Sequence, residues 1–90
     1  MGSKIYRTAK APSKPFLAVL RSLEERTMRK TFRTLLAAKR WCGQFRFENS
    51  AEDALIYQFR GYIMDKGVIK EEWEAVAYRD YSWSMGSKWK

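Results

Sequence analysis

Five cations, Arg26, Arg29, Lys30, Arg33 and Arg40, are the side chains best suited to meet an anion. Wound as a helix at roughly 100° per residue, they fall within an arc of about 100°. Met28, Phe32, Leu35 and Cys42 lie opposite, and Lys39 strays to the apolar side, where its stem can snorkel. Four of the five are Arg, whose planar guanidinium forks onto phosphate and stacks on bases. Lys4, Arg7, Lys10 and Lys14 precede them on a segment that could order along a nucleic-acid backbone. Plain solvation also decorates helices with cations. A solvated face usually mixes signs, however, and here Glu24 and Glu25 stand only at the head of the stripe.

Catalytic chemistry finds little to work with. Histidine is absent, which removes the commonest general base and zinc ligand. Cys42 is the single cysteine; it permits no internal disulfide, fits a reducing cytoplasmic setting, and reads as a small buried hydrophobe. The carboxylate pairs Glu52/Asp53 and Glu71/Glu72 are sequence neighbours, which do not face each other on a helix. There is no Gly-rich phosphate loop and no metal-ligand spacing. The reading is a non-enzymatic protein without catalytic residues, metal or cofactor.

Charge is distributed unevenly. Residues 1–46 carry twelve Lys and Arg against two Glu, a net of +10, and residues 47–90 carry six against eight, a net of −2. The chain total is +8. That asymmetry is expected where one face serves an anionic surface. No apolar run is long enough for a membrane span, and the start lacks a signal-peptide stretch.

The elements that must position these residues read as helices. Residues 1–14, ending in two prolines three apart, form a basic flexible arm. Residues 15–82 form one domain of three to four helices, an all-α bundle. Phe16, Leu17, Leu20 and Leu23, then Met28, Phe32, Leu35 and Leu36, follow helical spacing, as one helix or as two broken near Thr27, ending at Gly43. Residues 44–47 alternate like a short extended segment. A helix capped at Asn49 or Ser50 carries Ala51, Leu55, Phe59, Tyr62 and Ile63 to about Lys66, and Gly67 stops it. A last helix, from about Ile69 to Tyr81, turns Ile69, Trp73, Val76 and Ala77 inward. The predicted core is Leu20, Leu23, Phe32, Leu35, Leu55, Phe59, Ile63, Trp73 and Val76.

Aromatics leave two questions. Trp41, Phe45 and Phe47, interleaved with Arg40 and Arg46, serve either the core or, as the less favoured reading, a stacking platform for bases. In the tail, 83–90, either Trp83 docks back while Trp89 frays, or both are anchors for a partner protein. Helices at 51–66 and 69–81 would also make a helix-turn-helix. Glu71, Glu72 and Glu74 at the head of the second would oppose phosphates, so the pair reads as a packing scaffold.

Two functions compete. One is nucleic-acid binding, to DNA or RNA, through the stripe and arm with little sequence specificity. The other is docking on an acidic groove of a DNA- or RNA-handling host enzyme, to inhibit or redirect it. Short, basic, Trp-rich and without His, the chain resembles accessory proteins of phages or mobile elements in general character, though no motif carries a residue over. A membrane-surface role ranks third, because the apolar side of 28–42 is needed for the core.

Overall fold

Strand periodicity, not helical periodicity, organises most of this chain. The computed structural model describes residues 12–23, 26–46, 50–81 and 88–90, with the backbone of residues 5 and 6. In order they form β1 (Ile5–Tyr6), β2 (Phe16–Arg21), β3 (Met28–Phe32), α1 (Leu35–Phe45), β4 (Asp53–Asp65) and β5 (Val68–Asp80). The all-α bundle is therefore wrong. The chain is one antiparallel sheet with a single helix among the described residues. Across the sheet the order is β3, β2, β4, β5, and the two-residue β1 extends the β2 side of β4. Among the described residues no helix is long and apolar enough to cross a membrane.

The first predicted helix, 16–42, is two strands followed by α1. Phe16 to Leu20 is a continuous apolar run, which periodicity alone does not separate from buried helix. Both faces of β2 are apolar, and Ala18, Val19 and Leu20 are buried in succession. Helix begins only after Thr34, whose extended backbone and Oγ1, accepting from Ala37 N at 3.1 Å, cap it. Gly43 does not end it. The helix runs on to Phe45, Gln44 lies inside it, and Arg46 N donates to Cys42 O at 3.0 Å.

The second and third predicted helices are one β-hairpin. Asp65 pairs with Val68 across a two-residue turn, and Lys66 and Gly67 both have positive φ, 50° and 81°. That is the requirement of a type I′ turn. Gly67 is thus a hairpin glycine, not a helix stop. Ser50, at φ 48°, belongs to the turn leading into β4 and caps nothing helical.

Side chains alternate across a strand, so the register sorts the sheet into two surfaces. Ala18, Leu20, Ala54, Ile56 and Ala77 face α1, where Ala38, Trp41, Cys42 and Tyr81 complete the core. Four alanines at this contact let the helix approach closely. Trp41 bridges Phe32 and Phe45 with ring centroids at 5.6 Å and 5.9 Å. Of the predicted core only Leu20 is fully buried; Leu23 is 88% exposed. Phe32, Leu35 and Val76 pack half-buried against the core, whereas Leu55, Phe59 and Trp73 lie outside that cluster.

Candidate nucleic-acid interface

All five cations of the predicted stripe are exposed, but they do not share a helix face. Arg26 precedes β3, Arg29 and Lys30 lie within it, Arg33 follows it, and Arg40 sits on α1. The helix expected to align them does not exist between 28 and 34. On β3 alternation replaces the 100° rotation: Arg29 pairs with Val19 and faces away from α1, while Lys30 pairs with Ala18 and faces α1. The charges therefore straddle the edge of the sheet, where β3 pairs with β2 alone among the described residues. Lys4, Arg7 and Lys10 lie outside the described residues; Lys14 is exposed.

Ion pairing divides the cations into two groups. Arg21 grips Asp53 with two hydrogen bonds, one from Nε at 2.7 Å. Arg60 Nε meets Glu74 Oε2 at 2.6 Å, and Lys70 Nζ reaches Asp65 Oδ2 at 3.4 Å. Arg26, Arg29, Lys30, Arg33 and Arg40 form no ion pair with a described residue. The sequence asymmetry has become spatial. Among the described residues, the β3 edge carries cations without ion pairs, and β4 and β5 carry most of the carboxylates.

On the helix side, Lys30 and Arg40 both line a groove of about 400 Å³ between β3 and α1, together with Phe32, Trp41, Gln44 and Phe45. The Lys30 ammonium lies 5.7 Å from the Phe32 ring centre. Trp41 is buried, so in this arrangement it supports the groove from below and presents no free ring. Phe47 and Trp83 lie outside the described residues. Trp89 is half-buried against the core under the Lys39 ammonium at 5.7 Å, and Lys90 exchanges backbone hydrogen bonds with Tyr78 at 2.8 Å and 3.1 Å. The last tryptophan is thus a packing residue of the sheet.

The face turned away from α1 was missed by helical reasoning. Along β4 it carries Leu55, Tyr57, Phe59 and Tyr62, and on β5 Trp73 and Tyr78. Phe59 meets Tyr62 and Trp73 edge to face at 5.2 Å and 5.3 Å. Trp73 Nε1 donates to Glu71 Oε2 at 2.9 Å. Tyr57 and Tyr78 lie beside the Arg21–Asp53 pair; desolvation and then the Asp53 and Asp80 carboxylates push the Tyr78 hydroxyl pKa up. The signal for this face was available in the period-two run Leu55, Tyr57, Phe59.

Arg79 Nε and the Tyr81 hydroxyl are buried without a hydrogen-bond partner among the described residues. The Arg46 and Arg79 guanidiniums lie 4.6 Å and 5.3 Å from the Tyr81 ring centre, near the helix C-terminus that cations favour. Burial pushes the Cys42 thiol pKa up to about 12, which leaves it unreactive. No group of three or more potential metal ligands occurs among the described residues. Comparison with protein-family models, curated proteins and solved structures finds no match for this chain.

Proposed function

We propose that the protein is a non-enzymatic nucleic-acid-binding protein whose cationic edge, β3 with its flanking residues and Arg40, neutralises phosphates with little sequence specificity. The observation that carries this reading is the gathering of Arg26, Arg29, Lys30, Arg33 and Arg40 on and beside one sheet edge, all exposed and without an ion pair to a described residue. A merely solvated surface would neutralise its charges locally, as the β4–β5 hairpin does with Arg60–Glu74 and Lys70–Asp65. Five exposed cations without such partners form a concentrated positive field that attracts a polyanion. β3 is five residues long, about 17 Å at roughly 3.4 Å per residue, which is the axial length of about five phosphates of one B-form strand. Phosphate contacts of this kind fix position and carry no sequence information directly.

The test is binding of a fluorescent oligonucleotide at low salt by the wild-type chain and two charge variants. Replacing Arg26, Arg29 and Arg33 by Ala together should weaken binding by at least tenfold. Lys70→Ala, on the hairpin, should change it less than twofold. Equal losses in the two variants would refute the assignment of the site to β3.

A second reading has its own observation, the groove between β3 and α1. An extended acidic peptide added to the free β3 edge would lay alternate side chains into it, under Lys30 and Arg40. Retention of a partner from nuclease-treated lysate, lost on Lys30→Glu, together with failure to bind oligonucleotides, would favour this reading over the first.

A further inference from the structure

We propose that the sheet face opposite α1 stacks unpaired bases, so that the ligand of the cationic edge is single-stranded nucleic acid. This rests on the reading of that edge as a phosphate-binding surface and names the form of ligand it takes.

The two faces of the sheet are built from different side chains. Beneath α1 the strands present Ala18, Leu20, Ala54, Ile56 and Ala77. On the other face, beside Leu17, Val19 and Leu55, they present Tyr57, Phe59, Tyr62, Trp73 and Tyr78, none of which belongs to the core cluster. All five are half-buried, held by one another and by the strands. Phe16 and Phe32 pack on the α1 side, but every Tyr and Trp of β2 to β5 lies on this face. Tyrosine and tryptophan keep a polar tip in water while offering a flat ring, which suits a wet surface that binds planar partners. Stacking uses the ring face, which every base has, and so tolerates any sequence. That agrees with an edge whose cations contact only phosphates.

Position joins the two surfaces. Register aligns Arg29, Val19, Leu55 and Tyr78 in one row across the four strands, with Thr31, Leu17, Tyr57 and Ala75 in the next. The first row runs from the cationic edge to Tyr78 on β5, the opposite edge strand, and the second carries Tyr57 on β4, two strands from β3. At roughly 4.8 Å per strand, Arg29 stands about 14 Å from Tyr78. A strand with phosphates along β3 would direct its bases across β2 towards Tyr57, the nearest ring, about 10 Å away at the same spacing. Duplex DNA offers only base edges in its grooves and would use the cations alone. A second copy of this chain is a poor occupant, since each copy carries +8 and the two repel.

The experiment compares a 15-nucleotide oligothymidylate, the same length of abasic strand, and a 15-base-pair duplex at one salt concentration. Charge density alone ranks the duplex first. Stacking predicts that oligothymidylate binds at least tenfold more tightly than the abasic strand and more tightly than the duplex. Tyr57→Leu and Trp73→Leu keep apolar bulk in the strands and should each reduce oligothymidylate affinity roughly 5- to 100-fold, leaving abasic binding unchanged. Far-UV circular dichroism and thermal melts select whichever variant retains the fold. If the three ligands bind alike, and only the arginine variants weaken them, the stacking face is refuted while the cationic edge stands. Absence of all binding at low salt refutes both. Dimers in sedimentation that Tyr57→Leu dissociates would make the face a self-interface and overturn the proposal.

Discussion

Arg29 and Lys30 are neighbours in sequence and stand on opposite faces of β3, the first over Val19 and the second over Ala18. A helix would have set them about 100° apart on one stripe; the strand makes them the two lips of an edge. Their substitutions should therefore separate the two readings. Arg29→Ala should weaken oligonucleotide binding by about three- to fivefold, from the ~1 kcal/mol of one solvent-exposed ion pair. Lys30→Ala, which opens the groove side, should weaken an acidic peptide more than an oligonucleotide. Titrations of both ligands against both variants provide the check.

Leu20 and Leu23 have the same side chain three residues apart, yet Leu20 is fully buried and Leu23 is 88% exposed. Leu20→Ala should cost about 2–5 kcal/mol, a large share of the ~5–15 kcal/mol that holds a domain. Leu23→Ala should stay within about 0.5 kcal/mol. Denaturant midpoints measure the contrast, and equal losses would restore the helical reading of this segment.

Gly43 lies inside α1, exposed, with open space where a Cβ would stand. Gly43→Ala should stabilise the protein by about 0.5–1 kcal/mol by removing unfolded-state freedom. In a domain of this size that raises the melting midpoint by roughly 2–8 °C.

Cys42 tests the core chemically. Its thiol pKa is raised to about 12 by burial, from an ordinary value near 9. The folded protein should react with a thiol reagent at pH 8 only on unfolding, so the rate should rise steeply with denaturant. The sign for stability follows from the same shift. The unfolded chain releases this proton first, so Cys42 adds nothing against stability below about pH 9 and costs stability increasingly between there and about pH 12. Cys42→Ala should flatten that alkaline loss, after allowance for the Tyr81 hydroxyl, whose pKa burial also raises.

The sequence misled where strand and helix share a spacing. Phe59 and Tyr62, three apart, look like one helical face. They do share a face, because a β-bulge between Phe59 and Gly61 inserts a residue and shifts the alternation. The bulge opposite Ile56 and Tyr57 does the same in β5, bringing Trp73, Ala75 and Tyr78 to one side. Sheet pairing is also non-local: Arg21 meets Asp53 thirty-two residues away, and no local window contains that contact. What could be read was chemistry that follows from residue type. The five cations are exposed because unpaired charge is costly to bury. Cys42 and Trp41 are buried in the core. The turn at Lys66–Gly67 was visible too; only its type was misread, since a glycine after an apolar run ends a helix or turns a hairpin equally well.

The salt dependence of oligonucleotide binding tests the cationic edge most directly. If four to five of Arg26, Arg29, Lys30, Arg33 and Arg40 neutralise phosphates, the logarithm of affinity should fall with the logarithm of salt at a slope of about −3 to −5, from roughly 0.7 to 0.9 per phosphate. The double variant Arg29→Ala, Arg33→Ala should reduce the magnitude of that slope by about 1.5 to 2, and Lys70→Ala should leave it unchanged. A slope near zero, or one that the double variant does not alter, would contradict the account.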